Sequence, residues 1–327
     1  MKTSLIELKN IIEQRHITLE MKQGKLSYSS PKNAMTVAIK QAISHYKDNF
    51  IQELASKSES TKGSTINNIA NISDYNAKEN AGLDLFCLHY SGGSSTIFRE
   101  WNTFFPDWIT IRPIELPGRG IGLADPLISD PEEAIETLTQ TIVNSVERPW
   151  ALFGHSLGAA LGYRVCMRLQ ETDIAPLAFF PAGGYPPTID DPAPRRAHLT
   201  DKQLIEEIRS LGGTPEEVLE NNELMQLLIP MIRSDFLLND SIKKLKSNSK
   251  ITCPVQVFAA TEDKEVPLVT VNQWQDACEK EIDINIIEGN HFFVHDERAV
   301  LIMRDKICAL LSALANIQQL PIKSLSY

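Results

Sequence analysis

The sequence contains no run of 18 apolar residues, so no segment of it reads as a membrane-spanning helix. Residues 1–10 lack the apolar core and small-residue cleavage site of a secretory leader. Cysteine is scarce: Cys87, Cys166, Cys253, Cys278 and Cys308 are odd in number, widely spaced and never in a CxxC pair. That spacing argues against a disulfide framework and suits buried thiols in a reducing compartment, so the expected location is cytoplasmic, with no membrane partner. Basic residues are in deficit, 32 against 42 acidic, which leaves a net charge of −10 and no basic majority for a nucleic-acid surface. Repeats and metal-ligand spacings are absent as well. At 43% hydrophobic, the 327 residues have enough apolar side chains for a sizeable core, which excludes a wholly disordered or collagen-like chain.

The charge that is present is unevenly placed. Residues 1–60 hold nine of the basic and six of the acidic side chains, leaving 23 and 36 for the rest, so a segment at +3 precedes a body at −13. Ser4–Glu7 fits a capping box, and Leu5, Leu8 and Ile12 then recur at helical spacing. Ile17, Leu19 and Met21 alternate with Thr18, Glu20 and Lys22, Gln23-Gly24 supplies a turn, and Leu26 and Tyr28 return, which is a hairpin pattern. After Pro31, a helical face is formed by Ile39, Ala42, Ile43, Tyr46, Phe50 and Leu54. Residues 1–55 therefore read as a small α+β domain. Residues 56–81, rich in Ser, Asn, Thr and Lys without periodicity, read as a flexible linker.

From 82 to 316 apolar runs alternate with helical patterns. Strands are expected at Leu83–Leu88, Trp108–Ile114, Trp150–Phe153, Leu177–Phe180, Pro254–Ala259 and Ile282–Ile287. Helices are expected at Pro131–Val146, Ala159–Leu169 and Ala299–Leu314. This alternation predicts an α/β fold, a mostly parallel sheet with helices on both faces. Residues 195–245 interrupt it with helical segments only, the mark of a lid insertion.

Gly154-His155-Ser156-Leu157-Gly158 sits between an apolar strand and a helix, the setting of a nucleophile elbow. A serine hydroxyl needs a base, and in this fold the acid and then the histidine follow it in the chain. Of the downstream histidines, His198 falls in the lid. His291 follows the last strand in Glu288–Phe293 and is the expected base, and His295 is read as a surface or supporting residue. His89 and His155 suit packing. The acid is expected after Pro254–Ala259, at Asp263 in preference to its neighbour Glu262. It would fix the His291 tautomer. Backbone donors for the oxyanion are expected at Leu157, just after the nucleophile, and at Ser91 in the loop His89–Gly93.

These residues resemble the type II (editing) thioesterases of nonribosomal peptide and polyketide synthetases. The likeness rests on Leu85–Gly93 with Phe98–Trp101, on Glu115–Gly120, on Gly154–Gly158, on Leu211–Pro215 with Arg233–Phe236, and on Gly289–Phe293. The chain departs from that pattern at His89 (usually Pro), Ser91 (usually Ala) and Ala260 (usually Gly), and Gly184-Tyr185 stand where the family carries basic residues. The resemblance implies an α/β-hydrolase fold with a helical lid. It also implies hydrolysis of acyl or aminoacyl thioesters on the phosphopantetheine arm of carrier protein domains, with no cofactor beyond the arm the substrate carries. Leu5–Leu8, Ile17–Leu19, Gly24–Tyr28 and Pro31–Thr36 resemble the TubC-type N-terminal docking domain. That likeness implies capture of a short C-terminal peptide of a synthetase subunit as an added strand, with Lys22, Lys25 and Lys32 placed to attract an acidic tail or, equally, to protect the hairpin edge. A trans-acting product-releasing thioesterase and a catalytically inactive interaction protein are the alternatives.

Overall fold

The computed structural model describes residues 70–189, 195–245 and 249–317, together with 12, 17–22, 25–30, 35–36, 39–40, 43 and 47. The chain divides into two compact units, Met1–Asn67 and Asn68–Tyr327.

In the first unit, β1 (Thr18–Lys22) and β2 (Lys25–Ser29) form an antiparallel ladder whose register runs from Thr18↔Ser29 to Lys22↔Lys25. Lys22 and Lys25, two of the lysines considered for peptide binding, thus pair on the last rung of the backbone ladder, and Lys32 lies outside the described residues. Ile17, Ile39 and Ile43 are buried. Thr36 accepts from the Ile39 amide through Oγ1 and from the Lys40 amide through its carbonyl, the hydrogen-bond pattern of an N-cap. The helix expected over the first residues falls almost wholly outside the described ones.

The second unit is a seven-stranded sheet. Along the chain it contains β3 (Asn71–Ile72), β4 (Leu83–Leu88), α1 (Trp101–Phe104), β5 (Ile109–Glu115), α2 (Pro131–Val143), β6 (Trp150–His155), α3 (Leu157–Leu169) and β7 (Phe179–Ala182). Then come the lid helices α4 (Asp201–Leu211), α5 (Glu216–Leu219) and α6 (Asn222–Ile242), followed by β8 (Gln256–Ala260), α7 (Leu268–Val271), β9 (Asp283–Ile287) and α8 (Glu297–Ile317). The strand order is β3-β5-β4-β6-β7-β8-β9, parallel throughout except for β3, which runs antiparallel to β5.

Every residue of β4 and β6 is buried, as strands covered on both faces must be. Their side chains alternate between two cores. Phe86, Leu88, Trp150 and Leu152 point to the layer that includes residues of α2 and α3, while Leu85, Cys87, Ala151 and Phe153 meet Trp101, Phe105 and the inner face of α8. A third cluster, with Leu204, Ile208, Met225, Ile232 and Phe236, holds the lid helices together.

One expectation is corrected. The stretch read as linker, 56–81, is not linker from Ala70 onward. Ala70 is 2% exposed and belongs to the main core, Asn71 and Ile72 pair with Glu115 and Ile114, and Ser73 hydrogen-bonds Ser95 at 2.8 Å. A two-residue strand is too short to show periodicity, and only the free edge of β5 makes it a strand.

Candidate active site

The C-terminal ends of β4, β6, β8 and β9 lie at one edge of the parallel sheet, where open α/β folds place their ligands. At the end of β6 the chain turns sharply into α3, and Ser156 is held at φ 55°, ψ −113°. A side chain at Gly154 would run into the Gly158 carbonyl, and one at Gly158 into that of Leu88, so the elbow closes only around these two glycines. The Ser156 amide donates to Ala182 O at 2.9 Å, tying the elbow to β7.

His291 is carried by the loop after β9. That loop is laced to the one after β8: Glu262 N donates to Gly289 O at 2.8 Å, and Gly289 N to Thr261 Oγ1 at 3.2 Å. His291 Nδ1 lies 2.8 Å from Asp263 Oδ2, and its Nε2 lies 3.1 Å from Ser156 Oγ. The other carboxylate oxygen of Asp263 accepts from the Glu265 and Val266 amides at 2.8 and 3.0 Å. Both oxygens are therefore occupied by donors, and with Nδ1–H donating to Asp263, Nε2 is left to accept from the Ser156 hydroxyl. The structure thus brings Ser156, His291 and Asp263 into one hydrogen-bonded chain and leaves Glu262 exposed.

Leu157 opens α3, and its amide is one of the first-turn N–H groups that have no intrahelical acceptor. Ser91 is the second residue of a tight turn in which the Gly93 amide donates to Tyr90 O at 2.9 Å, and Gly92 at φ 77° takes the position that demands glycine.

The other histidines among the described residues differ in kind. His89 is buried with Nδ1 at 2.9 Å from Tyr90 O, and burial, reinforced by Arg119, pushes its pKa down to about 4. His155 is fully buried beneath His291, their ring centroids 5.2 Å apart, and burial drives its pKa well below the usual value, so it packs there as a neutral ring. His295 Nε2 sits 2.8 Å from the Tyr90 hydroxyl, which ties the histidine loop to the loop bearing Ser91. His198 is exposed on a turn before α4.

Sequence reasoning assigned no part to Tyr90, Arg119, Arg196 or Asp235, all of which lie close to the site. Two of them, Arg119 and Asp235, stand in the motifs Glu115–Gly120 and Arg233–Phe236 that carry the family resemblance, and that was their signal. Two hollows adjoin the site. One is lined by Ser156 and His291 with Tyr185, Arg196 and Glu265. The other, about 220 Å³, runs from Tyr90, Ser91 and Gly92 under Ile208, Leu228 and Ile232 of the lid. Among the described residues no group of His, Cys, Asp or Glu is arranged to hold a metal ion, and no helix is long and apolar enough to cross a membrane.

Comparison with known proteins agrees with this geometry. The thioesterase domain family matches residues 84–308, and the TubC N-terminal docking domain family matches residues 6–55. The gramicidin S biosynthesis protein GrsT of Aneurinibacillus migulanus is 32% identical over 228 residues, covering 69% of this chain and 89% of that protein. The crystal structure of ClbQ from the colibactin NRPS/PKS pathway superposes with a TM-score of 0.67 at 29% identity, over 72% of this chain and all of that one. The type II thioesterase BorB from the borrelidin biosynthetic cluster gives 0.65 at 25%, over 74% and 96%. The chain belongs to the thioesterase domain family, as a serine hydrolase preceded by a TubC-type docking domain.

Proposed function

We propose that this enzyme is an editing thioesterase of a nonribosomal peptide or polyketide assembly line, removing acyl or aminoacyl groups from the phosphopantetheine arms of carrier protein domains. The observation that carries the reading is the Ser156–His291–Asp263 hydrogen-bond chain at a strained elbow. In this mechanism Ser156 Oγ attacks the thioester carbonyl carbon as its proton passes to His291 Nε2. The negative charge that develops on the carbonyl oxygen is received by the Leu157 and Ser91 amides. Collapse breaks the C–S bond, and His291 gives its proton to the departing thiolate. A water molecule, deprotonated by the same nitrogen, then attacks the acyl-serine and releases the acid. Asp263 holds the imidazole and stabilises its charged form. The pantetheine arm arrives with the substrate, and none of these steps needs a bound cofactor.

The second hollow, about 220 Å³ beside the Ser91 loop, has no charged side chain in its lining and offers room for a short acyl group. In the first unit, the β1–β2 hairpin offers an edge for a partner's C-terminal peptide, and the lysines at positions 22, 25 and 32 favour an acidic one.

The test is hydrolysis of acetyl- and aminoacyl-carrier thioesters by the purified protein and by Ser156→Ala. Loss of turnover in the variant supports the reading. A wild-type protein that hydrolyses none of these thioesters, or a variant that retains full activity, overturns it.

A further inference from the structure

Two motifs have no part in the chemistry above: Glu115–Gly120, which begins on the last residue of β5, and Arg233–Phe236 inside α6. They meet at a single buried ion pair. Arg119 Nη1 donates to Asp235 Oδ2 and Nη2 to Oδ1, each at 2.7 Å, with side chains 4% and 0% exposed. Burying two charges costs several kcal/mol per ion before their attraction is counted, and an apolar pair of similar volume often packs as stably. Stability alone therefore gives no reason for an ion pair here.

What the pair touches supplies one. The Gly92 amide donates to Asp235 Oδ2 at 2.7 Å, and Arg119 Nη1 also donates to Gly93 O at 3.1 Å. On the same loop, Glu115 Oε1 accepts from the Ser95 amide and hydroxyl, both at 3.2 Å. This is the loop that presents Ser91. The Ser91 N–H shares its planar peptide with the Tyr90 carbonyl, which accepts from the Gly93 amide at 2.9 Å. Holding the Gly92 N–H and the Gly93 carbonyl therefore fixes the turn that sets the direction of the Ser91 amide. The acceptor that anchors the Gly92 N–H belongs to the lid helix.

We propose that Asp235 is a positioning residue for the oxyanion hole. Seated on Arg119, it anchors the Gly92 amide and thereby aims the Ser91 amide at the carbonyl oxygen, so the hole is complete only while α6 is in place. This rests on the assignment of Ser91 as an oxyanion donor above. Lid seating and transition-state stabilisation are then one event: a lid lifted to admit the acyl group leaves a weak catalyst until it returns.

The experiment compares two double variants that both remove the ion pair. Arg119→Gln/Asp235→Asn keeps an amide oxygen opposite the Gly92 N–H, whereas Arg119→Met/Asp235→Leu keeps none. With an acetyl N-acetylcysteamine thioester, the first is expected to retain kcat within about tenfold of wild type. The second is expected to lose about 100-fold, the scale of one oxyanion donor, with KM nearly unchanged. Affinity for an acyl trifluoromethyl ketone, whose addition product also places an oxyanion in the hole, should fall in step with kcat. Equal kcat in the two variants, or a loss confined to KM, overturns the proposal while leaving the thioesterase reading intact. Failure of wild type to hydrolyse the thioester overturns both.

Should the apolar variant not fold, amide hydrogen exchange on the unmodified protein decides. Gly92 exchanging with the same protection as the α6 amides around Asp235 supports the coupling, and exchange independent of α6 overturns it.

Discussion

Ser156 stands at φ 55°, a region that costs a non-glycine residue about 1–3 kcal/mol and persists only where the surroundings impose it. Two adjacent acids show what residue-level geometry adds to this. Glu262 and Asp263 are neighbours in the chain, but only Asp263 reaches His291, and its second oxygen is held by two backbone amides. Asp263→Asn should therefore lower kcat by about 10⁴ through the wrong His291 tautomer, while Glu262→Gln leaves it within about twofold. Steady-state kinetics on one small thioester separate the two.

His89 gives a stability prediction of definite sign. Its folded pKa of about 4 lies below the ordinary 6.5, because burial and Arg119 disfavour the charged ring. The unfolded chain therefore binds more protons between those values, and stability is lost as pH falls from 6.5 towards 4. The effect amounts to roughly 2 kcal/mol at pH 5, on the scale of about 1.4 kcal/mol per pKa unit. Urea midpoints at pH 5 and pH 7 should differ accordingly, and His89→Gln should narrow the gap. An unchanged gap would show that other groups, His155 among them, carry the acid sensitivity.

At the scale of elements, the lid is fastened at its base as well as at Asp235. Arg196, which is buried, donates to Glu207 of α4 at 2.7 Å and to Glu265 at 2.7 and 3.0 Å, and the Glu265 amide in turn holds Asp263. Arg196→Met leaves two half-buried carboxylates unpaired at the junction of the lid with the acid loop. About 2 kcal/mol of stability should go, less than for a fully buried pair because both glutamates retain some solvent. Proteolytic cutting within residues 195–245 should rise with it, and cutting no faster than in wild type would show that the lid is held elsewhere.

Element boundaries also show where sequence patterns stop. The apolar run at Leu177–Phe180 predicts a strand two residues early, because apolarity begins where the chain enters the core, whereas the ladder of β7 runs from Phe179 to Ala182 beside β6. The same limit hides β3, whose two residues owe their conformation to a partner 42 or more positions away.

For the whole molecule, the division into two units and the uneven charge lead to a pair of truncations. Removing residues 1–60 should leave the melting temperature of the remainder and its kcat/KM on small thioesters nearly unchanged, while weakening turnover on a carrier that bears its native C-terminal tail. An equal loss on both substrates would sink recruitment by the docking domain. Extending the cut to residue 75 removes buried Ala70, the β3 pairing, the Ser73–Ser95 hydrogen bond and the Tyr75 carbonyl that accepts from Asn102. That should cost at least about 2 kcal/mol, from hydrogen bonds near 1 kcal/mol each and the lost apolar burial. Thermal melts of the two truncations read the difference directly.

The α/β alternation, the helical insertion and the elbow were legible in the sequence because each depends on local patterns: strand period, helix period, and glycines flanking a serine. Ser156 and His291 were legible too, since a nucleophile after a strand and a histidine after the last strand follow from chain order. The preference for Asp263 over its neighbour Glu262 was also drawn from the sequence. Two things were left to the tertiary structure: that Ala70 belongs to the core, and that Arg119 and Asp235, 116 residues apart, share one buried contact beneath the Ser91 loop. These depend on long-range packing and on the direction of individual hydrogen bonds, and neither leaves a periodic trace along the chain.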